Sequence, residues 1–507
     1  MSEAIAPAAQ GLTRQAFHGA GWSALANVGK LILSFASVAV LARLLGPSVY
    51  GLMGMATLVL VFLTNFRDLG TATAIIQKPQ VSKRLLSSLF WVNCALGIAL
   101  FAIGFWGAIP AAHFFRDPRI VNILRVISLS FCMTTVGTVP NALLARRMDF
   151  RSIAICDVAS AVIGYGVSIP CALAGLGVWS LVFGNLANVA TATGLYFYFS
   201  AWRPALEFDR QEVRSVARFS LNLAGFGVVN YFSRNADNIV VGRVLGPIQL
   251  GYYQMAYNLF LFPIQNISSV LSQVLNPSFA KIQSDNARFR SAYVRSCMLI
   301  GLITFPVMAG LGVIVKPFIY TIMGAKWAPV VPILTILVPV GFCQSVQGTT
   351  GQIFVVKGRT DWMFRWSLYG TAVFVTAFVI GVRWGAVGVA AAYAISYFIF
   401  IIYPVLWLAF KLIDLSVGEF AKRLLPQIAI SLAMAGICYG WMTALYLAGI
   451  TNNLFHLITT IAIGAAVYIG AMLTIRPQVV LYLQEVLAAS NTPLAGVLLR
   501  LIAKPRS

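Results

Sequence analysis

AGFGVVNYFSRNADNIVVGRVLG, residues 224–246, is apolar enough to read as a membrane-spanning helix, yet it carries Asn230, Arg234, Asn235, Asp237 and Asn238. An Arg or Asp in hydrocarbon costs about 2.5–3.5 kcal/mol on insertion scales. Such groups persist where they face protein or a water-filled cavity. Asn230, Arg234, Asp237 and Asn238 stand at i, i+4, i+7 and i+8, so they share one helical face.

The stretch runs into LGPIQLGYYQMA (245–256), and LGPSVYGLMGMA (45–56) matches it at an offset of 200. Leu, Gly, Pro, Gly, Met and Ala coincide, which marks an internal repeat. The same offset carries Gly227, Asn230, Arg234 and Asp237 onto Asn27, Lys30, Ser34 and Ser37. These four also share a face of an apolar helix, with Lys30 near its middle. Two repeats with polar stripes at matching positions predict two half-molecules facing a common polar lumen, as in transporters built from repeats.

Composition fixes the class. The chain is 59% hydrophobic and 10% charged, with a mean hydropathy of +0.85; a soluble chain would carry about 25% charged residues. The seven Cys are scattered through apolar segments and form no CxxC or Cys/His cluster. They read as core residues, neither disulfides nor metal ligands. The three His are far apart, so no His-based metal site is expected.

Fourteen segments are long enough to span: 18–43, 50–76, 86–109, 120–144, 152–174, 177–200, 217–243, 248–275, 291–315, 329–356, 362–382, 386–410, 425–448 and 454–475. The opening residues show no cleavable-signal pattern. With the N-terminus in the cytoplasm, the inner loops hold Lys78, Lys83, Arg84, Arg146, Arg147, Arg151, Arg203, Arg210, Lys281, Arg288, Lys357 and Arg359. The outer loops hold few: Arg116, Arg119, Lys316, Lys326 and Arg383. This bias puts both termini inside and accounts for most of the +22 net charge without nucleic acid.

The expected fold is an all-α integral membrane protein of about fourteen transmembrane helices. An N-terminal six-helix lobe (1–200) and a C-terminal one (217–410) are pseudo-symmetric. A cytoplasmic interfacial linker (201–216), expected as an amphipathic helix over 202–216, joins them. An extra helix pair (411–475) and a cytoplasmic amphipathic tail (476–507) follow.

Three motifs in order carry a resemblance. LARLLGPSVYGLMGMATLVLVFLTNFRDLGTATAIIQ (41–77), PNALLARRMDFRSIAI (140–155) and RNADNIVVGRVLGPIQLGYYQMA (234–256) resemble polysaccharide exporters of the Wzx type, of the exopolysaccharide and colanic-acid-like branch. These belong to the multidrug/oligosaccharidyl-lipid/polysaccharide flippase superfamily. The resemblance covers most of residues 20–410. It implies a flippase, not an enzyme, that moves undecaprenyl-diphosphate-linked oligosaccharide across the bacterial inner membrane by alternating access of two six-helix lobes. A polymerase and a chain-length regulator of the same pathway are the implied protein partners.

The candidate site residues each have a second, structural reading. Lys30 and Arg234 are expected as lumen cations for the diphosphate; a structural ion pair is the alternative for each, Arg234 with Asp237 at i+3. Asn27, Asn230, Asp237 and Asn238 complete the polar stripes, with Asp237 the candidate for coupling to a H+ or Na+ gradient. Arg67 and Asp68 read as a helix end or as a gate. Gln344 and Gln347 share a face with Gly351, as Gln265, Ser269 and Gln273 do two spans earlier; interhelical contact and sugar contact both fit. Asp157, about one turn inside the cytoplasmic face, and Arg125, near the outer face, are expected to be structural. No cofactor or metal is implied.

Three other functions compete. A cation-coupled drug exporter of the same architecture would suit an acidic lumen, whereas here Lys30 and Arg234 stand against Asp237 alone. A membrane enzyme of glycan synthesis would need a catalytic acid pair, and the longest outer loops, 110–119 and 316–328, hold only Asp117. A peptidoglycan-precursor flippase differs from the first reading only in its substrate.

Overall fold

The computed structural model describes residues 29–67, 71–78, 81–283 and 285–489, and among them every regular element is helical. Asn27, Asp68 and the tail beyond 489 lie outside the described residues. Apolar composition makes the helices, and short polar signals end them. Ser82, Asp149, Asp285 and Ser416 each accept a hydrogen bond from the backbone N–H three residues on. They thereby cap Lys83–Phe115, Phe150–Leu173, Asn286–Ile322 and Val417–Leu447.

Nine helices among the described residues are long and apolar enough to cross a membrane. Two helical elements long enough for more than one crossing are interrupted by a glycine that an L side chain would strain. Gly246 (φ 79°, ψ −176°) breaks Arg210–Lys281, and Gly385 (φ 75°, ψ −166°) breaks Thr360–Ile413. Burial inside the protein runs from 22% of the Asn453–Ile475 window to 50% of that in Val330–Val356. The former is therefore peripheral. Exposed side chains such as Ile98, Trp106, Ile399 and Ile458 form the apolar exterior that a bilayer demands.

Contacts divide the chain into two compact units, Met1–Gly251 and Tyr252–Ser507. The residues from 217 to Gly251 thus fall with the first unit, whereas the sequence reading opens its second lobe at 217. In the first unit, Phe150–Leu173 and Val178–Ser200 pack as a close hairpin through Gly164 and Gly184. A Cβ on Gly184 would lie 2.8 Å from the Gly164 carbonyl oxygen. In the second unit the last helix pair turns one face to the core and leaves the rest peripheral. Ile430, Met434, Cys438, Tyr468 and Met472 join the same buried cluster as Tyr293 and Phe305, and the Tyr468 hydroxyl donates to the Leu302 carbonyl at 2.8 Å.

The linker differs from expectation. Residues 201–209 are not helical, and the helix begins at Arg210. Pro204 supplies no N–H and disfavours helix at the residue before it. The strap instead docks on Lys83–Phe115. Ala205 N donates to Ser87 Oγ (3.1 Å), Asp209 N to Ser88 Oγ (2.7 Å), and Trp91 Nε1 to the Ala205 carbonyl (3.0 Å).

Candidate functional site

The described part of the first helix, 29–44, presents Lys30 with its side chain half-exposed. Lys30 Nζ lies 3.3 Å from Asp157 Oδ2. The other carboxylate oxygen accepts from the Tyr196 hydroxyl at 2.9 Å. Asp157 is on Phe150–Leu173 and Tyr196 on Val178–Ser200, so the Gly164–Gly184 hairpin holds the acid and phenol in register. Three helices of one unit thus converge on a cation, a carboxylate and a phenol. The Lys30 side chain is 48% exposed and that of Asp157 35%.

Sequence reasoning named Asp157 as a structural residue without matching it to Lys30, and did not name Tyr196. Asp157 is an acid in an apolar helix, and Lys30 is a base in another. Each charge needs a partner in low dielectric, and that need could have matched them. Tyr196 gave no such signal.

The second polar stripe divides. Asn230 and Arg234 are exposed, whereas Asp237 and Asn238 are buried. The local pair of Arg234 with Asp237, the alternative reading, is not formed. Asp237 Oδ1 instead accepts from the backbone N–H (2.7 Å) and Nδ2 (3.0 Å) of Asn238. Among the described residues Arg234 has no ion-pair partner. At two of the matched pairs burial agrees: Lys30 and Asn230 are both exposed, Ser37 and Asp237 both buried, whereas Ser34 is half-buried and Arg234 exposed.

Arg67 is half-buried in the turn that ends Pro47–Thr64, where its N–H donates to the Thr64 carbonyl at 3.1 Å. Gln344 and Gln347 lie half-buried on Val330–Gln347 in the second unit. Arg125 stacks its guanidinium on Phe105, 4.7 Å from the ring centroid. All seven Cys are free thiols. No group of three metal-ligating side chains occurs among the described residues.

The fold is shared with solved membrane transporters. The chain superposes on the structure "Lipid II flippase MurJ, inward closed conformation" with a TM-score of 0.71, 17% identity, and coverage of 89% of this chain and 97% of that one. It superposes on an inward-facing multidrug resistance MATE family transporter with a TM-score of 0.58, 16% identity, and coverage of 78% and 96%. Within that fold, residues 40–332 match the family described as "Polysaccharide biosynthesis protein", and the chain belongs to that family.

Its relatives include the lipopolysaccharide biosynthesis protein WzxC of Escherichia coli (strain K12), 29% identical over 444 residues, 85% of this chain and 89% of that protein. The teichuronic acid biosynthesis protein TuaB of Bacillus subtilis (strain 168) is 26% identical over 478 residues, 92% of this chain and 97% of that protein. The succinoglycan biosynthesis transport protein ExoT of Rhizobium meliloti (strain 1021) is 30% identical over 318 residues, 62% of this chain and 64% of that protein.

Proposed function

We propose that this chain is a flippase for undecaprenyl-diphosphate-linked oligosaccharide repeat units. It moves them from the cytoplasmic to the outer face of a bacterial inner membrane, for exopolysaccharide or lipopolysaccharide synthesis. Both termini lie in the cytoplasm, and the two repeats, 1–200 and 217–410, alternate access. A polymerase and a chain-length regulator receive the product.

The observation that carries the reading is the cation in an apolar helix: Lys30, half-exposed and paired with Asp157, whose other carboxylate oxygen accepts from Tyr196. A diphosphate crossing a low-dielectric medium needs cations part-way along a wet path. Lys30 supplies a point charge, and the exposed Arg234 supplies a fork that holds phosphate oxygens bidentately. Asp157 keeps Lys30 in place while the site is empty and gives it up to the diphosphate. Asp157 also takes over the coupling role that the sequence reading gave to Asp237, which is buried against Asn238.

The test is a double-mutant comparison in cells lacking the gene, with polymer export and membrane abundance both measured. Lys30→Ala lowers export about tenfold or more at parental abundance, the scale of a lost charge-assisted contact. Lys30→Ala combined with Asp157→Asn stays as low as Lys30→Ala alone. Return of the double variant to parental export would show that the pair only neutralises itself.

A further inference from the structure

The two LGP motifs do more than turn the chain. Pro47 opens the helix Pro47–Thr64, and Pro247 follows the break at Gly246. Gly51 and Gly251 each stand four residues after their proline, one turn on and on the same face. Those faces meet. A Cβ on Gly51 would overlap the Pro247 carbonyl, and one on Gly251 would overlap the Pro47 carbonyl. The Cβ on Gly251 would also lie 3.2 Å from Gly51 N. Each repeat therefore presents the same carbonyl and the same bare Cα to the other, the arrangement of a two-fold interface.

The contact continues down one side of Pro47–Thr64. The Tyr231 hydroxyl donates to the Leu58 carbonyl at 2.8 Å. The rings of Phe62 and Tyr231 lie 5.3 Å apart, edge to face, and those of Phe62 and Phe232 5.9 Å apart. Backbone meets backbone at the top and aromatic rings meet below. No ion pair among the described residues crosses the glycine contact. Close approach through glycine rests on van der Waals and weak Cα–H···O contacts, which reform without rearranging side chains. The joint beside it suits movement. Gly246, at φ 79° and ψ −176°, is a single non-helical residue on which the following helix can swing as a rigid body.

We propose that the reciprocal Gly51–Pro247 and Gly251–Pro47 contact is the outer gate of the transport cycle, a backbone clasp that shuts when the path is open to the cytoplasm and parts when it opens outward. Its role rests on the flippase reading; the contact itself does not. Because the obstructing atoms are carbonyls, no neighbouring side chain can retract to admit a methyl group. Alanine at either glycine therefore holds the clasp apart.

The experiment uses the full chain in intact cells, with the seven native Cys replaced. A Leu58→Cys reporter lies beneath the clasp, where Leu58 is 4% exposed, and an Ile248→Cys reporter lies on the exposed rim. A membrane-impermeant maleimide is added outside. Gly51→Ala and Gly251→Ala each raise labelling of the Leu58→Cys reporter about tenfold, as an overpacked closed state loses population, and each lowers export. Gly46→Ala, where a Cβ meets nothing within 4 Å, behaves as the parent in both respects. Unchanged labelling in both glycine variants would overturn the clasp. So would parental export with the clasp held open, loss of both variants from the membrane, or an Ile248→Cys reporter unreachable from outside. A parent that moves no lipid-linked substrate would sink the flippase reading, while the labelling would still report the clasp.

Discussion

Lys30 matters because of what it touches. A lone ammonium in an apolar helix is costly; Asp157 at 3.3 Å, whose other carboxylate oxygen accepts from Tyr196, neutralises it. Arg234 differs, being exposed and, among the described residues, without a partner acid. Replacement by Lys keeps the charge and loses the fork. Arg234→Lys is therefore expected to retain part of the export that Arg234→Ala loses; equal export from the two would remove the bidentate role. A separate residue test concerns Asp117, in the connection before Ile120. Arg119 binds it through Nε (3.0 Å), a terminal guanidinium N–H (2.7 Å) and its own backbone N–H (3.0 Å). The side-chain hydrogen bonds hold the carboxyl below its usual range. A depressed folded pKa gives stability that is present above the unfolded value, about 4, and is lost as pH falls through the folded value. Thermal unfolding in detergent at about pH 7 and about pH 3 should show a smaller acid loss for Asp117→Asn than for the parent. Equal losses would mean that the Arg119 contact contributes nothing.

Among the elements, the hairpin of Phe150–Leu173 and Val178–Ser200 positions the site. Asp157 and Tyr196 come together only because Gly164 and Gly184 let the two backbones approach. Gly184→Val adds bulk against the Gly164 carbonyl oxygen and is expected to cost about 1–3 kcal/mol. Ser168 Oγ also meets a Cβ on Gly184; quantitative blotting of membranes should show reduced abundance, with no rescue by Ser168→Ala, because the Gly164 carbonyl remains. Gly166→Val, where a Cβ meets nothing within 4 Å, should be tolerated; an equal loss there would show that packing at Gly184 is not the cause. Helix type was legible from hydropathy alone, since apolar length determines it. The linker was not. Its amphipathic composition suggested a helix, but the docking serines lie far off in sequence, on Lys83–Phe115. The site was half legible for the same reason. One helical wheel displayed Lys30, whereas its partners stand on two other helices. Arg234 does not pair with Asp237, whose Oδ1 accepts from the Asn238 backbone N–H and side-chain amide.

At the scale of the whole molecule, the repeat was the most informative feature of the sequence. Offset pairing of LGPSVYG with LGPIQLG foretold equivalent helices, and the structure puts those motifs into reciprocal contact. The offset did not predict where the contacts divide the chain, at Gly251, because a repeat boundary records equivalence and not packing. Loop charge predicts the orientation. In a chain without its native Cys, an Arg116→Cys reporter should label from outside and an Arg147→Cys reporter should not; the reverse would invert the topology. The central claim is transport, and it is tested most directly with purified protein in lipid vesicles. The vesicles carry a fluorescent undecaprenyl-diphosphate-linked oligosaccharide in both leaflets, and an outside reagent reads its exposure. With the parent protein essentially all the substrate becomes reactive, while protein-free vesicles and the Lys30→Ala variant leave the inner half protected. Protection of the inner half in parent vesicles, with correctly folded and inserted protein, would contradict the account.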